Sequence, residues 1–152
     1  MKRQRSRLLI KLTAILLAVS MSAPIGAQAA LPETADPMAS DYWQDYDACI
    51  CATGDGNLEI QFEILGITSF AEIGVLTIYL YESTDNSNFS CVETFHCSEY
   101  ENMLRYNAYS CVDHVDYEGV PGRYYKAYML LWATSGTGGG SKYIWSPVEH
   151  CI

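Results

Sequence analysis

The chain has 152 residues, with 9 Lys and Arg against 18 Asp and Glu for a formal net charge of −9, and it is 49% hydrophobic and 12% aromatic. Five of the basic residues and none of the acids fall in the first 30 positions, so Leu31 to Ile152 holds 4 basic and 18 acidic residues, a net charge of −14. A surface of that sign repels phosphate backbones and anionic membranes, which excludes nucleic-acid binding; 19 aromatics and six cysteines in the same stretch exclude a disordered chain, and the length fits one domain.

Residues 1–29 read as an export signal. A basic start, MKRQRSR, leads into an apolar run from Leu8 to Met21, and Ala27-Gln28-Ala29 has the small-x-small spacing of a signal-peptidase site. The alternative is an uncleaved anchor, since Leu8 to Ile25 nearly spans ~30 Å of hydrocarbon at ~1.5 Å per residue. Pro24, Gly26 and the Ala-rich cleavage region favour the signal peptide. The expectation is a secreted, extracellular protein with no stable membrane insertion after cleavage. Residues 30–45, acidic and Pro-containing, read as a flexible leader, and 46–152 as the folded domain.

The folded part shows period-2 alternation and turns but no helical stripe. Tyr46 to Thr53 is expected as a first strand, closed by the turn Gly54-Asp55-Gly56-Asn57. Leu58, Ile60, Phe62 and Ile64 then alternate with Glu59, Gln61 and Glu63, the pattern of a strand with one buried and one wet face. After a loop through Gly66 and Gly74, Val75 to Glu82 is a strand apolar on both faces, followed by a polar turn, Ser83 to Asn88. Phe89 to His96 is a fourth strand and Met103 to Val112 a fifth, with Leu104, Tyr106, Ala108 and Val112 on a common face. Asp113 to Gly122 is expected as a long acidic loop. Arg123 to Ala133, the most apolar stretch, is the sixth and central strand. The Gly-rich hairpin Thr134 to Ser141 leads to a last strand, Lys142 to His150, which Pro147 confines to an edge. Seven short strands at even spacing point to an antiparallel sandwich.

Export also governs the cysteines. Cys49, Cys51, Cys91, Cys97, Cys111 and Cys151 are even in number, and an oxidising compartment favours disulfides, with 15 connectivities open to six cysteines. Metal binding through Cys49 and Cys51, or through Cys91, Cys97 and His96, lacks the Cys-x2-4-Cys pairing of structural zinc sites. Cys49 and Cys51, two apart on a strand, share a face and do not readily bond each other. Strand direction in a sandwich places Cys91 near Cys111, and Cys51 or Cys49 near Cys151, which leaves Cys97 for the remaining thiol.

Gly119-Val120-Pro121-Gly122-Arg123-Tyr124-Tyr125-Lys126-Ala127-Tyr128-Met129 resembles the tyrosine-corner approach to the sixth strand of fibronectin type III and immunoglobulin-like domains, with Tyr125 as the corner residue. The resemblance implies that Tyr125, Ala127, Met129 and Leu131 point inward and that the Tyr125 hydroxyl bonds back to the preceding loop. From Tyr46 to Ile152 the chain also resembles small exported Gram-positive bacterial proteins of uncharacterised function. The likeness rests on Ile73-Gly74-Val75 to Leu80, the Gly-x-Tyr-Tyr of the sixth strand and the Gly-rich final hairpin. It implies fold and location and supplies no catalytic residue. The expected fold is thus all-β, an antiparallel seven-stranded immunoglobulin/fibronectin III-like sandwich preceded by a signal-peptide helix.

Catalytic candidates are few. The histidines are His96, His114 and His150. Asp113, His114, Asp116 and Glu118 offer oxygen-rich calcium ligands in the acidic loop, but their spacing matches no established loop. Gly138-Gly139-Gly140-Ser141-Lys142 lacks the Gly-Lys-Ser/Thr of a phosphate loop and enters a strand where a helix is needed. No Gly-x-Ser-x-Gly elbow occurs, and no carboxylate pair stands out as a glycosidase site. The expectation is a protein that is not an enzyme and uses no cofactor or metal. If the sixth strand points Tyr125 inward, Tyr124, Lys126, Tyr128, Leu130 and Trp132 point outward beside Tyr79 and Tyr81 of the third strand and Tyr143 and Trp145 of the seventh. One sheet face is then paved with rings, which suits docking of a protein or a neutral glycan. The bland alternative is cross-strand ring pairing for sheet stability, or coverage by Tyr42 and Trp43 of the leader. A second functional class is a disulfide-braced effector, such as a protease inhibitor or toxin-like protein, acting through the loop at Asp113 to Gly122.

Overall fold

The computed structural model describes residues 42–152. The expected signal helix at 1–29 and most of the expected leader at 30–45 lie outside the described residues. The described part is antiparallel β-structure with a single 3-10 turn, Glu101–Met103. Its strands are β1 (Trp43–Gly54), β2 (Asn57–Ser83), β3 (Ser90–His96), β4 (Leu104–Glu118), β5 (Tyr124–Ser135), β6 (Gly138–Trp145) and β7 (Glu149–His150). Among the described residues no helix is long and apolar enough to cross a membrane.

β1 and β2 form a hairpin. Its two-residue turn, Asp55-Gly56, has positive φ at both positions, 54° and 84°, the backbone that matches the twist of the flanking strands and that Asp-Gly supplies at low strain. Beyond it Leu58, Ile60, Phe62 and Ile64 are buried, while Glu59 and Gln61 are half-buried and Glu63 is exposed on the opposite face.

The expected loop through Gly66 and Gly74 is not a break, because β2 runs on for 27 residues. The step there is a bulge: Leu65 faces Ser110, and the next pair along the β2–β4 ladder is Phe70 with Ala108. Before the bulge β2 is flanked by β1 and the later part of β4; after it β5 lies along β2, with the start of β4 and then β3 also paired to it. A second irregularity lies between Val75 and Thr77. It shifts the inward phase by one residue, so Ile73 and Val75 are buried ahead of it, and Ile78 and Leu80 after it. This shift is why Val75 to Glu82 reads as apolar on both faces. Gly74, at φ 154°, sits where a Cβ would come 2.1 Å from the Met103 carbonyl oxygen, so the β4 backbone can approach β2 only over a glycine.

The sheet path β1-β2-β5-β6 is curled, and Lys142 of β6 meets the hydroxyl and ring of Tyr46 of β1. β5 has Tyr125, Ala127, Met129, Leu131 and Ala133 fully buried. With the inward residues of β1 and β2, and with Phe95, Met103, Cys111 and Val115, they form one apolar core.

Several expectations need correction. β1 begins at Trp43, whose ring is buried, and Tyr42 packs edge-on against Phe70, so neither covers the ring-bearing sheet face. β4 runs to Glu118, so Asp113 to Glu118 is strand, and the connection to β5 is a short turn at 119–123. Cys111 and Val115 are buried and Ala108 packs against the core as expected, while Tyr106 and Val112 are exposed. Asn107, at φ 52°, departs from strand geometry beside the residues that face the β2 bulge, so strict alternation does not hold along β4. Lys142 to His150 is not one strand: β6 stops before Pro147, and β7 pairs with β5 for two residues only.

The expected disulfides are not formed. All six cysteines are free thiols. Cys91 pairs with Tyr81 near the end of β2 and Cys111 with Ile64 in its first half, on opposite sides of the bulge. Cys49 and Cys51 lie on the outer face of β1, whereas Cys151 is buried with its Sγ 3.5 Å from the Gly56 carbonyl oxygen. Cys97, the remaining expected partner, is tied through its backbone N–H to the Leu76 carbonyl.

The 119–123 turn is held from inside. The Val120 N–H donates to the Tyr125 hydroxyl oxygen at 2.8 Å, that hydroxyl donates to Glu82 at 2.5 Å, and Arg123 pairs with the same carboxylate. Burial first, and then the hydrogen bond to Glu82, push the Tyr125 phenol well above its ordinary value. The neutral phenol is therefore favoured in the folded state. Its contribution is complete below pH ~10 and is lost as the pH rises beyond the unfolded value toward the folded one. Tyr125→Phe should lower stability at neutral pH by about 1–2 kcal/mol, and denaturant titrations should show the gap to wild type narrowing above pH ~10. A gap that stays constant with pH would show that the phenol ionises alike in both states.

Candidate functional site

The outward face of β2, β5 and β6 carries the candidate site. In antiparallel pairs, residues directly opposite one another share a face, and the register sets Tyr79 opposite Tyr128, Tyr81 opposite Lys126, Tyr128 opposite Trp145 and Leu130 opposite Tyr143. The three strands therefore present their rings side by side. Tyr128 is the centre: it stacks on Tyr143 with ring centroids 4.8 Å apart and planes 9° from parallel, and lies 4.4 Å from the Trp145 ring. Tyr81 meets Trp145 from the other side at 5.3 Å. Tyr128 is 7% exposed and forms the floor, while Tyr143 and Trp145 are 36% and 46% exposed and form the accessible surface.

Two members were not legible as a pair in the sequence. The Lys126 Nζ lies 4.3 Å from the Phe89 ring centroid and 4.5 Å from that of Trp145, so its ammonium stands between two rings. Phe89 ends a turn ordered by Asp85, whose carboxylate accepts from the N–H groups of Ser87 and Asn88 and from the Asn88 side chain. The Asn88 backbone and side-chain hydrogen bonds, followed by those of Ser83 and Ser87, hold the Asp85 carboxyl far below the usual carboxylate range. The Asp85 turn thus fixes the start of the segment that ends in Phe89, and a Lys-to-aromatic contact between residues 89 and 126 leaves no sequence pattern.

The structure does not gather every expected ring. Trp132 lies further along β5, with its indole N–H donating to Glu72 at 3.0 Å. Tyr124 stands at the other end, stacked on His150 at 4.7 Å. The assembled set is Tyr79, Tyr81, Tyr128, Tyr143 and Trp145. The rings are tilted, Trp145 standing 33° from Tyr128 and 53° from Tyr81, and a cavity of about 460 Å³ lies elsewhere, lined in part by Cys49, Gln61, Glu63, Asp113 and His114.

Of the other candidates, Asp113, His114 and Asp116 come together on β4, with His114 Nδ1 3.8 Å from Asp113 and Nε2 3.6 Å from Asp116, while His96, His150 and Glu118 stand apart. His96 stands 3.4 Å from the Thr77 hydroxyl. Asp113 of the expected calcium loop is a strand residue bound to Arg105 at 2.5 Å and to Asn102 at 3.0 Å. Burial raises its carboxyl, but the hydrogen bonds from Asn102, the His114 N–H and Arg105 outweigh that and hold it below the usual range. Glu118 is exposed at the strand end opposite Asn57. Comparison of the chain with protein-family models, with curated proteins and with solved structures finds no match.

The three tryptophans differ in exposure, and Trp145 is the most accessible to solvent on the candidate face. Trp145→Phe should remove most of the acrylamide-quenchable tryptophan fluorescence, whereas Trp43→Phe should leave it nearly unchanged. Equal loss from both variants would mean that the ring face is covered.

Proposed function

We propose that this chain is an exported, non-enzymatic β-sandwich module that binds a partner through the ring face of Tyr79, Tyr81, Tyr128, Tyr143 and Trp145, and that the partner is a neutral glycan. The observation that carries this reading is the near-parallel stack of Tyr128 on Tyr143 beside the exposed Trp145. Exposed rings with phenol hydroxyls beside them match the apolar face of a pyranose ring and its rim of hydroxyls. The net charge of −14 beyond residue 30 disfavours an anionic polymer, and a protein partner is the second reading of the same face.

Export rests on the sequence alone, through the basic start, the Leu8 to Met21 run and Ala27-Gln28-Ala29. The fibronectin III-like arrangement is supported by the strand pairings. β1, the first half of β2 and the later part of β4 make one group of three, and the second half of β2 with β3, β5 and β6 makes another. A corner role for Tyr125 is supported by its hydrogen bond from the Val120 N–H. The alternative of a braced effector acting through residues 113–122 is not favoured, since most of that stretch is paired strand and no bridge anchors it.

A panel of neutral oligosaccharides tested by calorimetry should yield a binder, with Trp145→Ala weakening it by about tenfold, or 1.4 kcal/mol, at unchanged folding. Tyr124→Ala, off the face, should not weaken it. No binding across the panel, or equal losses from both variants, would remove the glycan reading. Binding of a protein but no glycan, still lost with Trp145→Ala, would move the role to the second reading.

A further inference from the structure

The first half of β2, with β1 and the later part of β4, has an outer face of a different kind, separate from the ring face on the second half of β2. The register of β1, β2 and β4 lays two rows across it, Cys51-Glu59-Asp116 and Cys49-Gln61-His114. Within these rows one ligand atom each from Glu59, His114 and Asp116 lie within 4.8 Å of one another. The geometry points to a zinc-class divalent cation site formed by Glu59, His114 and Asp116, at the edge of the cavity that His114 lines.

Three observations carry it. The first is donor spacing. His114 Nε2 lies 3.6 Å from the nearer Asp116 oxygen, too far for a hydrogen bond, whereas two ligands ~2.0–2.2 Å from one zinc at a tetrahedral angle stand ~3.3–3.6 Å apart. The second is orientation from outside the donor set: Gln61 Nε2 donates to one Glu59 oxygen at 2.8 Å, which steadies the carboxylate and leaves its other oxygen for a cation.

The third is charge. The described residues contain four Lys and Arg, and all are engaged elsewhere: Arg105 with Asp113, Arg123 with Glu82, Lys126 with Phe89 and Trp145, and Lys142 with Tyr46. Glu59 and Asp116 therefore face each other with no Lys or Arg between them, on a strongly acidic protein. A divalent cation supplies that missing charge. One imidazole with two carboxylates, and the Cys51 thiol opposite Glu59 as a neighbour, selects a borderline transition ion over calcium or magnesium, which prefer all-oxygen sets.

Titration of the purified protein with zinc chloride should show one equivalent bound. His114→Ala and Glu59→Gln should each weaken it about tenfold or more, while His150→Ala, on β7 beside Tyr124, should not. All three side chains are at the surface, and a thermal melt of each variant confirms folding. Zinc bound equally by wild type and His114→Ala overturns the site, as does no binding at all. Loss confined to Cys51→Ser, with His114→Ala unaffected, places zinc on thiols and overturns it too.

Discussion

β2 is the strand to which β1, β3, β4 and β5 all bond, so its path decides where each of them stands. A straight strand of 27 residues would be far longer than ordinary strands of about 5–6 residues. The bulge at 66–69 divides it into two working halves and bends the sheet around the core. The first half turns Glu59, Gln61 and Glu63 to the outer face, and the second does the same with Tyr79 and Tyr81. One continuous strand thus supplies the middle of a polar, acid-rich face and of an aromatic face, and the core lies beneath both.

The alternation of Leu58 to Ile64 was readable because it is uninterrupted and its turn, Asp55-Gly56, is short and chemically specific. The inward set of β5 was readable for the same reason, since no bulge falls between Tyr125 and Leu131. Reading failed where one residue changes phase. Gly66 and Gly74 look like loop glycines in a sequence, yet one lies against the Phe70 ring and the other beneath the Met103 carbonyl within a continuing strand. β4 is irregular at Asn107 and opposite the β2 bulge, and Tyr106 and Val112 are exposed where periodicity places them inside. A period-2 argument has no means of seeing such steps, because a slip of one residue exchanges the two faces of a strand.

The same physics separates the rings that gathered from those that did not. Tyr79, Tyr128 and Trp145 are adjacent because the register of three strands coincides there; Trp132 and Tyr124 lie on the same strand but four residues to either side. Sequence reading counted outward rings on β5 without knowing which neighbours they met. Lys126 between Phe89 and Trp145 depended on the Asp85 turn, and Glu59 with His114 and Asp116 depended on β4 continuing as a strand through residues read as a loop. The cysteines were misplaced for a related reason: pairing them required knowing which half of β2 each one faced.

The registers of β2, β5 and β6 place Tyr81, Tyr128, Tyr143 and Trp145 together on one outward face. Nuclear Overhauser contacts among the ring protons of a selectively Tyr- and Trp-labelled sample report on that placement. Tyr128 should show contacts with both Tyr143 and Trp145, Tyr81 with Trp145, and the Trp145 ring none with the core methyls of Ile78 or Met129. Contacts from Trp145 to those methyls, in place of its contacts to Tyr128, would mean a register slipped by one residue and no common ring face.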